Sequence, residues 1–310
     1  MPEKKTKLII LKSFIGIFLL GILIYKFKQN RIESFQYAFN VYFLLSGIFL
    51  HLFAFLIVTL RIHVLISSKV SSYYETLKIF LIGWFFSNIL PTNIAGDGYM
   101  ILYLKKKTES VTEAVALIAF QRFVGLIVLI IYGIGYLLFN PDWLKRISFN
   151  ISFDLIMLIM VLLIIIIIFV LIFFKNQVYR FFKKIKKFFN NFKYIIKGIG
   201  VKKHFYVILT SIVYHLLRLG GFLYFLSGFT QKVPAADILF IMVIVTIGSL
   251  IPISIGGLGV QESILTLALT LLGVPLPIAL IVSFINRAVL IFVAMSGSLM
   301  FLFDRKNKLI

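Results

Sequence analysis

Few residues of this chain are both ionisable and set inside apolar runs, and most of them fall into two matching sets. Asp97 is followed by Arg122, and Glu262 is followed by Arg287; Arg218 stands apart, with His215 one turn before it. A charge at the bilayer centre costs about 2.5–3.5 kcal/mol on insertion scales, so each of these groups needs a partner or a wet cavity. The natural pairs are Asp97–Arg122 and Glu262–Arg287. Each acid lies in or just after a glycine-bearing break: Pro91-Thr92-Asn93-Ile94-Ala95-Gly96-Asp97-Gly98 and Pro252-Ile253-Ser254-Ile255-Gly256-Gly257-Leu258-Gly259. Aligned without a gap, the two share Pro, Ile and two Gly. Backbone N–H groups freed at a helix break bind anions, and glycine lets a phosphate come close. Arginine adds a planar fork that grips phosphate through two hydrogen bonds. The expected contacts to a phosphate-bearing head group are therefore Asn93, Gly96, Asp97, Arg122, Ser254, Gly256, Gly257, Gly259, Glu262 and Arg287. The plainer alternative, which overlaps with this one, is that the ion pairs only hold the breaks in place.

The elements that must carry these residues belong to a membrane. The chain has 310 residues, 61% of them hydrophobic, more than a water-soluble fold can hide. Its net charge of +21 sits in short connections between apolar runs, which argues for cytoplasmic loops and against a nucleic-acid partner. The absence of cysteine removes disulfides, thiolate metal sites and a thiol nucleophile. No GxxxxGK[ST] segment occurs, so direct ATP use is not expected, and neither a metal nor another cofactor is implied.

Six runs are long enough to cross: Leu8–Tyr25 (read as a retained first helix rather than a cleaved signal), Phe39–Leu60, Ala114–Phe139, Leu155–Phe174, Phe205–Phe229 and Pro275–Phe303. The runs entering the two motifs, Ile79–Leu90 and Ile238–Ile251, are too short. Lys175–Lys203 holds ten Lys/Arg and no acid. Its apolar residues step by three and four from Val178 to Ile199, which reads as an amphipathic helix on an anionic membrane surface.

With a cytoplasmic N-terminus and both short segments returning to their side of entry, 23 Lys/Arg fall inside and 6 outside. The first hairpin then enters from the cytoplasm and the second from the opposite face. The expected fold is an all-α polytopic membrane protein of about six full transmembrane helices plus two inverted re-entrant helical hairpins, an inverted repeat. It forms one integral membrane domain. The first repeat covers about 8–139 with its hairpin at 79–104; the basic segment is 175–203; the second repeat covers about 204–303 with its hairpin at 238–272. Localisation in the cytoplasmic membrane with both termini cytoplasmic follows.

Phe86-Ser87-Asn88-Ile89-Leu90-Pro91 with Gly96-Asp97-Gly98, Gln121-Arg122-Phe123-Val124-Gly125, and Ile251 through Glu262 resemble the lysylphosphatidylglycerol synthase transmembrane region, the flippase-like family. Arg61 also falls where that family often has an arginine. The resemblance spans nearly the whole chain and implies likeness to the flippase half of the multiple peptide resistance factor, which moves aminoacylated phosphatidylglycerol between leaflets. Two departures stand out. No aminoacyl-transferase domain follows Phe303, so the chain is not expected to make that lipid itself. The stretch Gly96-Asp97-Gly98-Tyr99-Met100 also lacks the arginine expected soon after the acid.

Three functions fit the sequence. A lipid translocase would pass a head group between the hairpins, with membrane lipids as its partners and no enzymatic step. A polyprenyl-phosphate-dependent transferase would need clustered carboxylates at a membrane face, where only Glu33, Asp142 and Asp237 are scattered. A scaffold for a separately encoded lipid-modifying enzyme would use the basic segment but leave the repeat unexplained.

Overall fold

The computed structural model describes residues 40–70, 72–90, 95–108, 110–140, 192–250 and 254–305, with the single positions 18, 21, 143 and 190. The expected spans Leu8–Tyr25 and Leu155–Phe174, and most of the basic segment, lie outside these residues.

All regular structure among the described residues is helical, with no strand. Four helices are long and apolar enough to cross a membrane: α1 (Val41–Ile66), α4 (Val111–Phe139), α5 (Val201–Ser227) and α8 (Leu276–Arg305, apolar to Phe303). Between them stand two pairs of shorter helices, α2 (Tyr73–Ile89) with α3 (Ala95–Thr108), and α6 (Ala235–Leu250) with α7 (Val260–Leu271). At 12 to 17 residues these are about 18–26 Å long, short of a hydrocarbon core of about 30 Å. The order long–short–short–long thus occurs twice.

Polar caps, not apolar runs, set several helix starts. Ser72 accepts a hydrogen bond from the Glu75 backbone N–H (3.1 Å), and Ser110 accepts one from that of Glu113 (3.2 Å). Both are Ser-x-x-Glu capping signatures. The first starts α2 six residues before the apolar run that begins at Ile79. Asn40 caps α1 by accepting from the Tyr42 N–H. At the other end α1 continues to Ile66, past the expected close at Leu60, and carries Arg61 into the interior. Near these polar ends, Lys69–Glu113 and Lys107–Glu75 form ion pairs at 3.3 Å each, and Tyr103 donates to Glu75.

Each half supplies one apolar core. The first gathers Ile62, Leu65 and Ile66 of α1 with Ile79 and Phe80 of α2, Leu104 of α3 and Leu117 of α4. The second gathers Phe225 of α5, Ile238 and Ile241 of α6, Leu265 and Leu269 of α7, and Ile278 of α8. Leucine, isoleucine and phenylalanine fill both, and no hydrophobic force separates them from lipid, so close packing must hold the helices together. Glycines provide it. Gly47 and Gly221 let α1 and α5 approach antiparallel, against Phe225 and His51 respectively. Gly83 and Gly96 face each other inside the first short pair. Gly133 of α4 sits against Val243 of α6, and Gly297 of α8 sits against the Leu81 backbone of α2. Each half therefore lends the first of its short helices to the last long helix of the other. Trp84 reinforces the second contact by donating to the Leu290 carbonyl (3.2 Å), and Tyr136 reinforces the first by donating to Asp237.

A Cβ at Gly297 would overlap the Leu81 carbonyl, which is backbone and has nowhere to go. Gly297→Ala is expected to cost about 1–3 kcal/mol through forced separation of α2 and α8. A thermal melt in detergent measures it, and an unchanged midpoint would contradict the close approach.

Of the basic segment, residues 192–198 are helical. Phe192, Ile196 and Ile199 pack on the first core, while Tyr194 and Lys197 are exposed. In this portion the apolar stripe turns toward protein.

Candidate functional site

The two acids occupy the same register. Asp97 is the third residue of α3, and Glu262 is the third residue of α7. The two arginines do too: Arg122 and Arg287 are each the twelfth residue of their long helix. Both acid–arginine pairs are 25 residues apart. Both pairs are formed. Arg122 Nε meets Asp97 Oδ2 at 2.6 Å, and Arg287 Nε donates to Glu262.

This register corrects the gapless matching of the two motifs. Equating Asp97 with Glu262 leaves four more residues between α6 and α7 than between α2 and α3. The first motif enters a helix at Ala95, so Gly96 and Asp97 are helical. The second stays irregular, with a short 3-10 turn at Ile255–Gly257 and positive φ at Gly256 (57°), Gly257 (71°) and Gly259 (79°). Side chains larger than hydrogen are disfavoured at all three. That backbone turns the Gly256 and Gly257 carbonyls toward Arg287. Nη1 donates to the first at 3.1 Å, and Nη2 donates to the second at 3.0 Å and to Gln261 Oε1 at 3.3 Å. With Nε on Glu262, every nitrogen of the Arg287 guanidinium is engaged, and the residue is buried.

The two tips touch. A Cβ on Gly256 would come within 2.8 Å of the Asn88 carbonyl, one residue from the end of α2. Ser254 and Glu262 are buried at the second tip, and neither Ser254 Oγ nor Glu262 Oε2 has a hydrogen-bond partner among the described residues. Asn93 lies outside the described residues. Gly96 is committed to packing: its N–H donates to Ser87 Oγ at 3.1 Å, and its Cα faces Gly83.

The first pair differs sharply from the second. The Arg122 side chain is 43% exposed, against 8% for Arg287. Only its Nε is engaged; neither Nη nitrogen meets a hydrogen-bond acceptor among the described residues. Asp97 is buried, yet its Oδ1 is likewise unengaged. Arg122 adjoins the exposed apolar stripe Phe123, Ile127, Ile131, Ile134 and Leu138 along α4.

Beside this pair lies a residue the sequence reading did not place in the site. Arg61 is 6% exposed and has no carboxylate partner among the described residues. It donates through Nη2 to Gln121 Oε1 (2.7 Å) and through Nη1 to Ser211 Oγ (3.2 Å), and lies 5.8 Å from the centre of the Tyr214 ring. Gly125 makes room for it, since a Cβ there would stand 2.6 Å from Nη1. His215 Nε2 meets the Gly125 carbonyl at 3.0 Å, a contact between α4 and α5 that fits a packing role. The run Gln121-Arg122-Phe123-Val124-Gly125 thus offers an acceptor to Arg61, a cation to Asp97 and space for a guanidinium. The available clue was an arginine followed by further apolar residues, Ile62, Val64, Leu65 and Ile66, broken only by His63.

Among the described residues no group of three His, Cys, Asp or Glu side chains is placed to hold a metal. The carboxylate Asp237, a candidate for transferase chemistry, is tied to Tyr136.

The lysylphosphatidylglycerol synthase TM region family model matches residues 9–297. The chain belongs to this family. No curated protein and no solved structure matches it. The match takes in both short helix pairs, both acid–arginine pairs and Arg61, so the geometry above is that of the family's membrane region as this chain builds it.

Proposed function

We propose that this family member is a lipid translocase that carries a phosphate-bearing head group past the two short helix pairs while the acyl chains remain in lipid. The observation that carries the reading is Arg122: a membrane-embedded guanidinium held in place by Asp97 through Nε, with both Nη nitrogens open. That is the geometry for a bidentate grip on a phosphate. Charge supports it. Among the described residues away from the helix ends, the arginines Arg61, Arg122, Arg218 and Arg287 stand in the long helices, and the acids Asp97 and Glu262 stand on the short helices. Two more cations than anions among these described residues favour an anionic guest.

In this reading Arg122 contacts the phosphate, and Asp97 Oδ1 accepts from a cationic part of the head group where one is present. Glu262, Arg287, Gly256, Gly257 and Gly259 shape the second tip. The two halves, joined by antiparallel α1 and α5, form an inverted repeat whose short helix pairs are re-entrant hairpins. Both termini are cytoplasmic, the membrane is the cytoplasmic one, and membrane lipids are the partners. The protein itself catalyses no bond-making step. A separately encoded enzyme that modifies the lipid is a compatible neighbour.

The cysteine-free sequence provides a clean background for the test. A Cβ at Gly98, beside Asp97, meets no atom within 4 Å. In sealed vesicles, Gly98→Cys is expected to react with a membrane-impermeant thiol reagent supplied from either side, and more slowly when phosphatidylglycerol is present. A translocation site must reach both faces. Reaction from one face alone would favour a scaffold over a translocase.

A further inference from the structure

Arg61 is a buried cation whose partners among the described residues are all uncharged. Gln121 and Ser211 accept from its two Nη nitrogens, and the Tyr214 ring centre lies 5.8 Å from its guanidinium carbon. Its Nε is buried as well and meets no acceptor among the described residues. Arg122 has Asp97 and Arg287 has Glu262, so those two charges are balanced in place. Hydrogen bonds to neutral groups hold a guanidinium but leave its charge uncompensated, which is costly away from water. The same anchors fix where that charge stands. Gln121 directly precedes Arg122 on α4, and Gly125, three residues after Arg122, seats Nη1 where a Cβ would not fit. Held between α4 and α5, Arg61 is not free to reach toward the membrane surface, as a long cationic side chain otherwise does. Arg61, Arg122 and Asp97 together leave one positive charge in excess.

We infer, on the ground of the transport site proposed above, that Arg61 is its specificity-determining residue: a fixed charge that selects phosphodiester lipids with a net-anionic head group over zwitterionic ones. An anion held at Arg122 supplies the counter-charge that the protein itself does not. Arg61 need not touch it, because the attraction between two charges falls only as the inverse of their separation and is screened little where water is excluded. A phosphatidylglycerol head group brings a single negative charge and neutralises the set. Phosphatidylcholine offers Arg122 the same phosphate, but its own ammonium cancels the gain at Arg61. Arg122 thus reads the phosphate, and Arg61 reads the charge of the whole head group.

The test is displacement of a fluorescent short-chain phosphatidylglycerol from the purified full chain in detergent by dioleoylphosphatidylglycerol, dioleoylphosphatidylcholine or inorganic phosphate. The parent is expected to bind phosphatidylglycerol about tenfold more tightly than phosphatidylcholine, and inorganic phosphate to displace little of the probe. Arg61→Met should bring the two lipids to nearly equal affinity, and Arg61→Lys, which restores the charge, should recover the preference. Because Arg61→Met also breaks the contacts to Gln121 and Ser211, Ser211→Asp gives a second reading. It keeps the arginine and hands it an internal counter-charge, so the preference should vanish without a fall in melting midpoint. Arg122→Lys should weaken both lipids alike and keep their ratio. A preference that survives both Arg61→Met and Ser211→Asp, while Arg122→Lys still weakens both lipids, would overturn the role of Arg61 alone. Binding of both lipids untouched by Arg122→Lys would overturn the transport site and the role of Arg61 with it. Displacement by inorganic phosphate as complete as by phosphatidylglycerol would make the guest a free anion and overturn lipid selection.

Discussion

Arg287→Ala is expected to yield a protein that inserts but unfolds far more easily than the parent. The substitution strips Glu262 of its cation and leaves the Gly256 and Gly257 carbonyls without their donor, all at a buried site. Removing one member of a buried ion pair typically costs about 3–5 kcal/mol, because the remaining charge stays desolvated. The loss should surface as a lower melting midpoint and as protease cleavage near residues 254–259, where three positive-φ glycines depend on that guanidinium for order. Arg287→Met combined with Glu262→Gln removes both charges and should recover a large part of the stability. If Arg287→Ala melts like the parent, Arg287 is not what holds the second tip. Transport by Arg287→Ala should fall as a consequence of the disordered tip, and the double variant separates that cause from loss of a phosphate contact.

Arg122→Lys has the opposite signature. Lysine keeps a cation beside Asp97, so folding should be nearly unaffected. What is lost is the planar fork, since an ammonium presents no parallel pair of donors. One bidentate charge-assisted contact is worth about 1.5–3 kcal/mol, so head-group movement should slow by about 10- to 100-fold. Arg122→Ala should slow it at least as much and also destabilise the protein modestly, by leaving buried Asp97 unpaired. The pair is half-exposed, so that stability term is smaller than at Glu262–Arg287. Two pairs in identical register thus give two different mutational outcomes, one on stability and one on rate.

Membrane insertion physics made part of this readable from residues alone. An acid and an arginine inside apolar runs must find each other, and the doubling of motif and arginine pointed to the pairs Asp97–Arg122 and Glu262–Arg287. Hydropathy gave the four long helices within a few residues. It failed at their polar ends. Arg61 and His63 look like the close of a span, but Gln121 and Ser211, distant in sequence, receive the Arg61 guanidinium and let α1 run on to Ile66. The α2 start was displaced for a related reason: the Ser72–Glu75 cap extends a helix into residues too polar to count as membrane sequence.

Glycine chemistry was the least legible. Matching Pro, Ile and Gly by position suggested two equal tips. One glycine set serves helix-to-helix contact at Gly83 and Gly96, and the other makes a left-handed turn that points carbonyls at Arg287. A sequence shows that a side chain is absent; it does not show whether the space goes to a neighbouring helix, a turn or a ligand. The difference in exposure between Arg122 and Arg287 was hidden for the same reason, because both stand in equally apolar helices.

The most direct measurement is head-group movement between leaflets of proteoliposomes. Fluorescent phosphatidylglycerol, lysyl-phosphatidylglycerol and polyprenyl-phosphate would be compared with a neutral-headed lipid, for the parent chain and Arg122→Lys. The parent is expected to move at least one phosphate-bearing probe faster than the neutral lipid, and Arg122→Lys to slow that probe about 10- to 100-fold while melting at the parent's temperature. No movement of any probe by well-folded parent protein, or equal rates in parent and variant, would contradict a translocase built on Arg122.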